Sequence, residues 1–249
     1  MAGIESYDAL MAVINARMTT RDLDTALAVP REHYELILEA ARQSPSPGNS
    51  QPWHFVVVND PETKQRVADV YLAERARRVG LGMHVPDAGY GGIATAPGVV
   101  AVLADLRLVR AFPVPPDTAA DPTLEADYRR HQERMVLEAV GAAQMAAHLA
   151  ATALGYNPWW VTATGLPKLL APLEALLGVP DGLALLDFLC FGRPAHEVHK
   201  RWKKELDEIV SWERVDRAKL LSDEQAANWI KNTPADAFVS AVPPERPTL

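Results

Sequence analysis

The chain has 249 residues, 48% of them apolar, and a formal net charge of −7. That length suits one large domain with a filled core, and the acidic balance argues against nucleic acid, whose phosphates require a basic face. No run approaches the roughly 20 apolar residues of a membrane span, so neither nucleic acid nor membrane is expected as a partner. The first residues, MAGIESYDALMAVINAR, carry acids early and lack the basic-then-apolar order of a secretory signal. The single cysteine, Cys190, excludes an internal disulfide and fits a reducing compartment, so a cytoplasmic location is expected. It lies inside the apolar run LLDFLCF, where a buried, inert thiol is the natural reading.

Residues 7–17 read as a helix, with Leu10, Met11, Ile14 and Met18 at helical spacing. A second helix begins near Pro30 and carries Tyr34, Leu36, Ile37 and Ala41. Residues 44–52, SPSPGNSQP, must be loop, because three prolines and a glycine exclude helix and central strand. A strand over 53–59 ends at Asp60-Pro61, where a third helix starts and runs to about residue 77. Residues 80–97 are glycine-rich and irregular, and a second buried strand occupies 99–104.

The proline-heavy stretch 107–127 reads as an excursion or lid, because a loop that long is uncommon inside a compact domain. Residues 133–154 form the most strongly patterned helix. It is apolar over most of its circumference and carries a thin polar stripe through Glu138, Gln144, His148 and Thr152, which predicts a buried helix. His148 is expected to be a satisfied core histidine. A third strand (159–162), a helix (166–177) and a fourth strand (185–191) follow, then a charged helix over 200–210 and a C-terminal arm within 216–249. These pieces make an α+β protein, with helices flanking a mixed or antiparallel sheet.

Generic catalytic signatures are missing from the sequence. There is no nucleophile elbow, no phosphate-cradling loop with its lysine, and no dinucleotide fingerprint among the glycines at 80–92. The pair His196 and His199 has neither metal-ligand spacing nor an obvious third ligand, so a solvated helix start is expected there and no metal. What remains is an uneven distribution of cations and amides. Arg17, Thr19 and Arg21 close the first helix; Ser44, Ser46, Asn49, Ser50 and Gln51 crowd a proline-stiffened loop; Arg201, Lys203 and Lys204 follow the fourth strand. Cations flanking a polar loop suit a phosphate that carries a polyol and a polar ring.

Two of these segments match motifs of a known family. Arg17-Met18-Thr19-Thr20-Arg21 resembles the R-x-S-x-[RK] element of the nitroreductase-like FMN enzymes, and Pro45 to Trp53 resembles their P-S-x-x-N-x-Q-P-W segment. ATAPGVVAVLAD, AAQMAAHLAATALGY, LLDFLCFGRP and LDEIVSWER follow in the family's order, over about residues 10–215. The resemblance implies a nitroreductase-like domain over 1–215 in an intertwined homodimer, with residues 216–249 packing on the partner. It implies FMN contacts from Arg17, Thr19, Arg21, Arg201 and Lys203, from Thr162 and Ala163 beside flavin N5, and from the partner's loop at Pro45, Ser46, Asn49 and Gln51. It further implies ping-pong hydride transfer from NAD(P)H to a small organic acceptor, with no side-chain catalyst. Trp159, Trp160, Phe112 and Tyr128 are the candidates to meet substrate. Threonine at Thr19 stands where serine is usual, and Leu23 where an aromatic residue is common. Flavin storage or sensing, flavin fragmentation of the dimethylbenzimidazole-synthase kind, and dehalogenation are the alternatives; the absence of lysine between Lys64 and Lys168 weighs against the last.

Overall fold

The computed structural model describes residues 2–83, 85, 88–199 and 202–231. Helix α1 (Ala2–Ala16) carries Ile4, Tyr7, Leu10 and Ile14 three or four residues apart, and all four are exposed in the single chain. Helix α2 (Arg31–Arg42) begins just after Pro30 and buries Tyr34, Ile37 and Ala41 along one side. Asp60 starts α3 (Pro61–Gly80) by accepting a hydrogen bond from the Thr63 N–H, with proline at the first position, where no N–H is needed.

Strands β1 (Trp53–Val57), β2 (Gly98–Asp105), β3 (Asn157–Val161) and β4 (Leu183–Gly192) make one sheet in the order β1-β2-β4-β3. Every pairing is antiparallel, which resolves the mixed-or-antiparallel expectation. The inner strand β2 is buried from Gly98 to Ala104, so it reads as a continuous apolar run rather than an alternating one. Pro158 lies in β3, an edge strand, where proline is tolerated.

Helices cover both faces. On one, α3, the single turn α4 (Gly92–Thr95) and α8 (Pro167–Leu177) bring Val67, Tyr71, Ile93, Leu169 and Leu173 against Ala101, Phe188 and Cys190. On the other, α2 and α7 (Pro122–Ala153) bring Ile37, Ala143, Ala147 and Ala151 against Val100, Leu189 and Phe191. Cys190 has no exposure, and burial pushes its thiol up to about 12, so it is the inert cysteine expected.

Two expected elements are redrawn. Helix α7 starts at Pro122 rather than residue 133, because Asp121 accepts from the N–H groups of Thr123 and Leu124 and caps it. The proline-heavy excursion is therefore mostly helical: α5 (Arg107–Ala111), α6 (Pro116–Ala119) and the first turns of α7. Arg129 holds it down by donating to the carbonyls of Val109 at 2.9 Å and Phe112 at 3.0 Å. The charged helix shrinks to α9 (Leu206–Ile209), because the Glu205–Glu208 capping box fixes its start. Lys204, before it, lies over the ring of Trp229 in α10 (Asp223–Lys231), 5.3 Å from the centroid. Arg201 and the arm at 232–249 lie outside the described residues. No described helix is long and apolar enough to cross a membrane.

Candidate functional site

After α1 the chain leaves the helix, and residues 17–21 are fastened at their far end. Thr20 is buried and accepts a hydrogen bond from Asn157 Nδ2 at 3.2 Å. Just beyond, Leu23 bridges Pro194; the Asp24 N–H donates to the Arg193 carbonyl at 2.8 Å and the Ala195 N–H to that of Asp22 at 3.0 Å. The end of β4 thus clamps the segment carrying Arg17, Thr19 and Arg21.

The Arg21 guanidinium lies over Trp159, 5.4 Å from the ring centroid. Two glycines make room for the backbone and stem of Arg21. A Cβ at Gly92 would come within 2.7 Å of the Arg21 carbonyl oxygen, and one at Gly89 within 3.2 Å of the Arg21 Cβ. Gly89 also has φ +71, which disfavours any other residue. The glycine-rich stretch that looked merely irregular is therefore a cradle for Arg21. Trp159 corrects an expectation: it is only 2% exposed and packs in the core beneath Arg21, so it is a floor rather than a substrate contact.

Strand alternation sends Trp160 to the opposite face, against α7. There its ring lies 5.3 Å from that of His148, and its buried indole nitrogen falls short of a full hydrogen bond. The group it leans toward is the carboxyl of Asp187, which burial pushes up in pKa and Trp160 pulls back. His148 was expected to be satisfied, and it is not. It is 2% exposed, yet Nε2 has no hydrogen-bond partner. Desolvation first, and the charge of Arg17 second, hold its pKa down at about 3, so the ring is neutral. One turn earlier on α7, Gln144 is 1% exposed, with neither its amide nitrogen nor its amide oxygen partnered. These orphaned groups cost stability unless something satisfies them.

Thr162 follows β3, exposed, and Ala163 opens a short 3-10 turn whose Thr164 hydroxyl donates to the Val161 carbonyl and meets the Tyr71 hydroxyl at 2.6 Å. The turn is thus tied to α3, and it follows directly on the strand that carries Asn157, Trp159 and Trp160.

The amide loop is elsewhere. Gly48, Asn49 and Gln51 all have positive φ, and the Gln51 N–H donates to Ser46 Oγ at 2.9 Å, which locks the turn. Ser50 Oγ is buried without a partner. Pro45 and Ser46 face α7 at Met135, Glu138 and Ala139. Six residues separate Ala142, which also lines this contact, from His148, about 9 Å along the helix. Pro45 and Ser46 thus lie against the middle of α7, while Arg17 acts on His148 nearer the end of that helix. Phe112 packs beside Gly48 and with Val102 and Val136, and Tyr128 stands twenty residues before His148, about 30 Å along α7, so neither joins Arg17 within one chain. Lys203 is exposed. His196 is no helix start; it pairs with Asp22 at 3.1 Å, and no His/Cys/Asp/Glu group among the described residues could hold a metal. Sequence reasoning missed Gly89, Gly92 and Asn157. It saw Gln144 only as a member of a polar stripe, although a Gln and a His four apart on an otherwise apolar helix are the visible trace of the orphaned pair.

The model of the nitroreductase family matches residues 14–193. The chain belongs to the nitroreductase family. It is accordingly an enzyme, an oxidoreductase of nitroreductase type, and the matched span contains every site residue above except those after Arg193. A "NADH dehydrogenase" of Thermus thermophilus is 29% identical over 196 residues, covering 74% of this chain and 86% of the relative. The iodotyrosine deiodinase of Nematostella vectensis is 28% identical over 207 residues, 78% of this chain and 71% of the relative. Among solved structures, the NADPH:FMN oxidoreductase from Vibrio harveyi complexed with NAD+ superposes with a TM-score of 0.64 over 93% of this chain and 86% of that one; at 19% identity it shows a shared fold.

Proposed function

We propose that the chain is an FMN-dependent NAD(P)H oxidoreductase that works as a homodimer and reduces a small organic acceptor such as a nitroaromatic, a quinone or an activated alkene, in a ping-pong sequence. The observation that carries this reading is the clamped segment 17–21, which presents two guanidiniums and a hydroxyl beside a glycine cradle. FMN, when bound, supplies the two-electron chemistry. The donor set fits it: Arg17 and Thr19 suit a phosphate and its polyol chain, and guanidinium forks bind phosphate through paired, charge-assisted hydrogen bonds. Arg21, propped over Trp159, would hold the edge of the flavin ring with its positive charge and so favour the reduced, negatively charged cofactor. Thr162 and Ala163 would offer backbone amide to N5, and Lys203 would add a cation for the phosphate.

Two observations support a second subunit. The loop with Pro45, Ser46, Asn49 and Gln51 lies against the middle of α7, a turn or more from His148 and Arg17, which suits service to the partner's site. The apolar stripe of α1, from Ile4 to Ile14, is exposed in the single chain and would be covered in a dimer. The similarity to an iodotyrosine deiodinase favours dehalogenation as a second reading. Against it stands the stretch 65–167, which has no lysine to clamp a zwitterionic substrate.

Titration of the purified protein with FMN, followed by quenching of flavin fluorescence, tests the proposal. One FMN per chain is expected, with at least tenfold weaker binding in R17Q and in R21Q. Failure to bind FMN, or unchanged affinity in both variants, would remove the proposal's basis. Iodide release from iodotyrosine without turnover of nitroaromatics or quinones would move the assignment to the dehalogenase reading.

A further inference from the structure

Two hydroxyls meet in the core between α3 and the turn after β3. Tyr71 is 1% exposed and packs in the apolar cluster with Val67, Ala68 and Phe188; Thr164 has no exposure, and the two oxygens lie 2.6 Å apart. The Thr164 hydroxyl also donates to the Val161 carbonyl at 3.1 Å. A threonine hydroxyl has a single proton to give. With that proton on Val161, the bond between the two hydroxyls can be made only by Tyr71 donating. Burial pushes the Tyr71 pKa up, so the phenol keeps the proton it donates. The order is therefore fixed: Tyr71 donates to Thr164, and Thr164 to the Val161 carbonyl.

Stability alone does not call for this pair. Replacing both partners of a buried hydrogen bond by apolar groups of the same shape is often nearly neutral or stabilising, and phenylalanine and valine would fill the same space. What the pair controls is the peptide group on which it ends. The Val161 carbonyl and the Thr162 N–H belong to one planar trans unit and point in opposite directions. Holding the carbonyl toward Thr164 fixes that plane and turns the Thr162 N–H away from Thr164. Hydrogen bonds in a chain polarise one another, so density drawn onto the carbonyl oxygen makes the Thr162 N–H a stronger donor. Beyond it the turn is closed by the Leu166 N–H, which donates to the Ala163 carbonyl at 3.1 Å. We propose that Tyr71 and Thr164 are positioning residues that act through the Val161 carbonyl to aim and strengthen the backbone donor at Thr162. The inference rests on the flavin reading above, in which that donor would meet N5 and draw electron density from the atom that receives hydride.

The experiment is 15N NMR of the protein saturated with FMN labelled at N5, with the melting temperature recorded alongside. An acceptor ring nitrogen resonates further upfield the more strongly it is hydrogen-bonded. Thr164→Val removes both bonds and should move the N5 resonance downfield. Tyr71→Phe removes only the outer bond and should move it less, while Thr164→Ser keeps the hydroxyl and should restore the wild-type position. Because Tyr71 acts only through Thr164, the double variant Tyr71→Phe/Thr164→Val should match Thr164→Val rather than add to it. Tyr71→Phe keeps the ring and its packing, so it reads the outer bond even where a Thr164 variant unfolds. An N5 resonance that stays in place in the folded variants, with only the melting temperature lowered, would make the pair purely structural and overturn the proposal while the flavin reading stands. A Tyr71→Phe shift equally large with and without the Thr164 hydroxyl would overturn it too. Wild-type protein that binds no FMN would remove both readings together.

Discussion

His148 makes the protein acid-sensitive, and the size of the effect follows from its burial. Its pKa is about 3 in the folded chain against an ordinary 6.5. Below 6.5 the unfolded chain takes up a proton that the folded chain refuses until about pH 3. Stability is therefore fully present above 6.5 and is lost as pH falls toward 3. At pH 5, roughly one and a half pH units below the unfolded value, the loss is about 2 kcal/mol, at about 1.36 kcal/mol per unit. Replacing the ring with leucine removes the proton-binding group and fills similar space, so His148→Leu should lose that part of the pH dependence. Urea unfolding at pH 5 and pH 8, at one protein concentration, gives four free energies. Their double difference isolates His148, because the carboxylates titrate alike in both proteins. It should be about 2 kcal/mol, with the wild type the more acid-sensitive. A double difference below about 0.5 kcal/mol would show that the folded protein accommodates the proton and would refute the buried, unpartnered state of His148.

Three further outcomes follow from the same geometry. Gln144→Leu should stabilise the flavin-free protein by about 1–3 kcal/mol, the cost of an unsatisfied buried amide, seen as a melting temperature about 2–4 °C higher per kcal/mol; destabilisation would mean that the amide has a partner. Gly92→Ala pushes a methyl against the Arg21 carbonyl, and it should weaken FMN binding tenfold or more while leaving the far-UV circular dichroism of the fold intact. Mixing an R17Q/R21Q chain with an N49A/Q51A chain should yield mixed dimers with one intact site of two, and so recover FMN binding that neither homodimer shows. No recovery would contradict the division of the site between subunits.

Much of the architecture was legible because burial leaves a plain trace in sequence. Residues 99–104 are buried throughout and read as a strand at once, and the proline-rich segment 44–52 could only be loop. The start of α7 was hidden because Pro122 sits among the other prolines of the excursion, and only the Asp121 side chain distinguishes a helix start from more loop. Strand alternation separates Trp159 from Trp160, but which of them enters the core depends on which face α3 and α8 cover, and that is a tertiary fact. The same holds for His148, whose burial was foreseen while its missing partner was not: a pattern of positions shows what is inside but not what it touches. The glycines at 89 and 92 gain meaning only from Arg21, nearly seventy residues earlier in the chain.

The proposed function requires this nitroreductase-family chain to pass reducing equivalents from NAD(P)H through a bound flavin. The most direct test is to load the purified protein with FMN, remove oxygen, add NADH or NADPH, and follow the visible flavin absorbance in a stopped-flow cell. Rapid bleaching is expected, slowed or abolished in R21Q, with colour returning when a quinone or nitroaromatic is added. Bound flavin that stays yellow in the presence of both nicotinamides would contradict it.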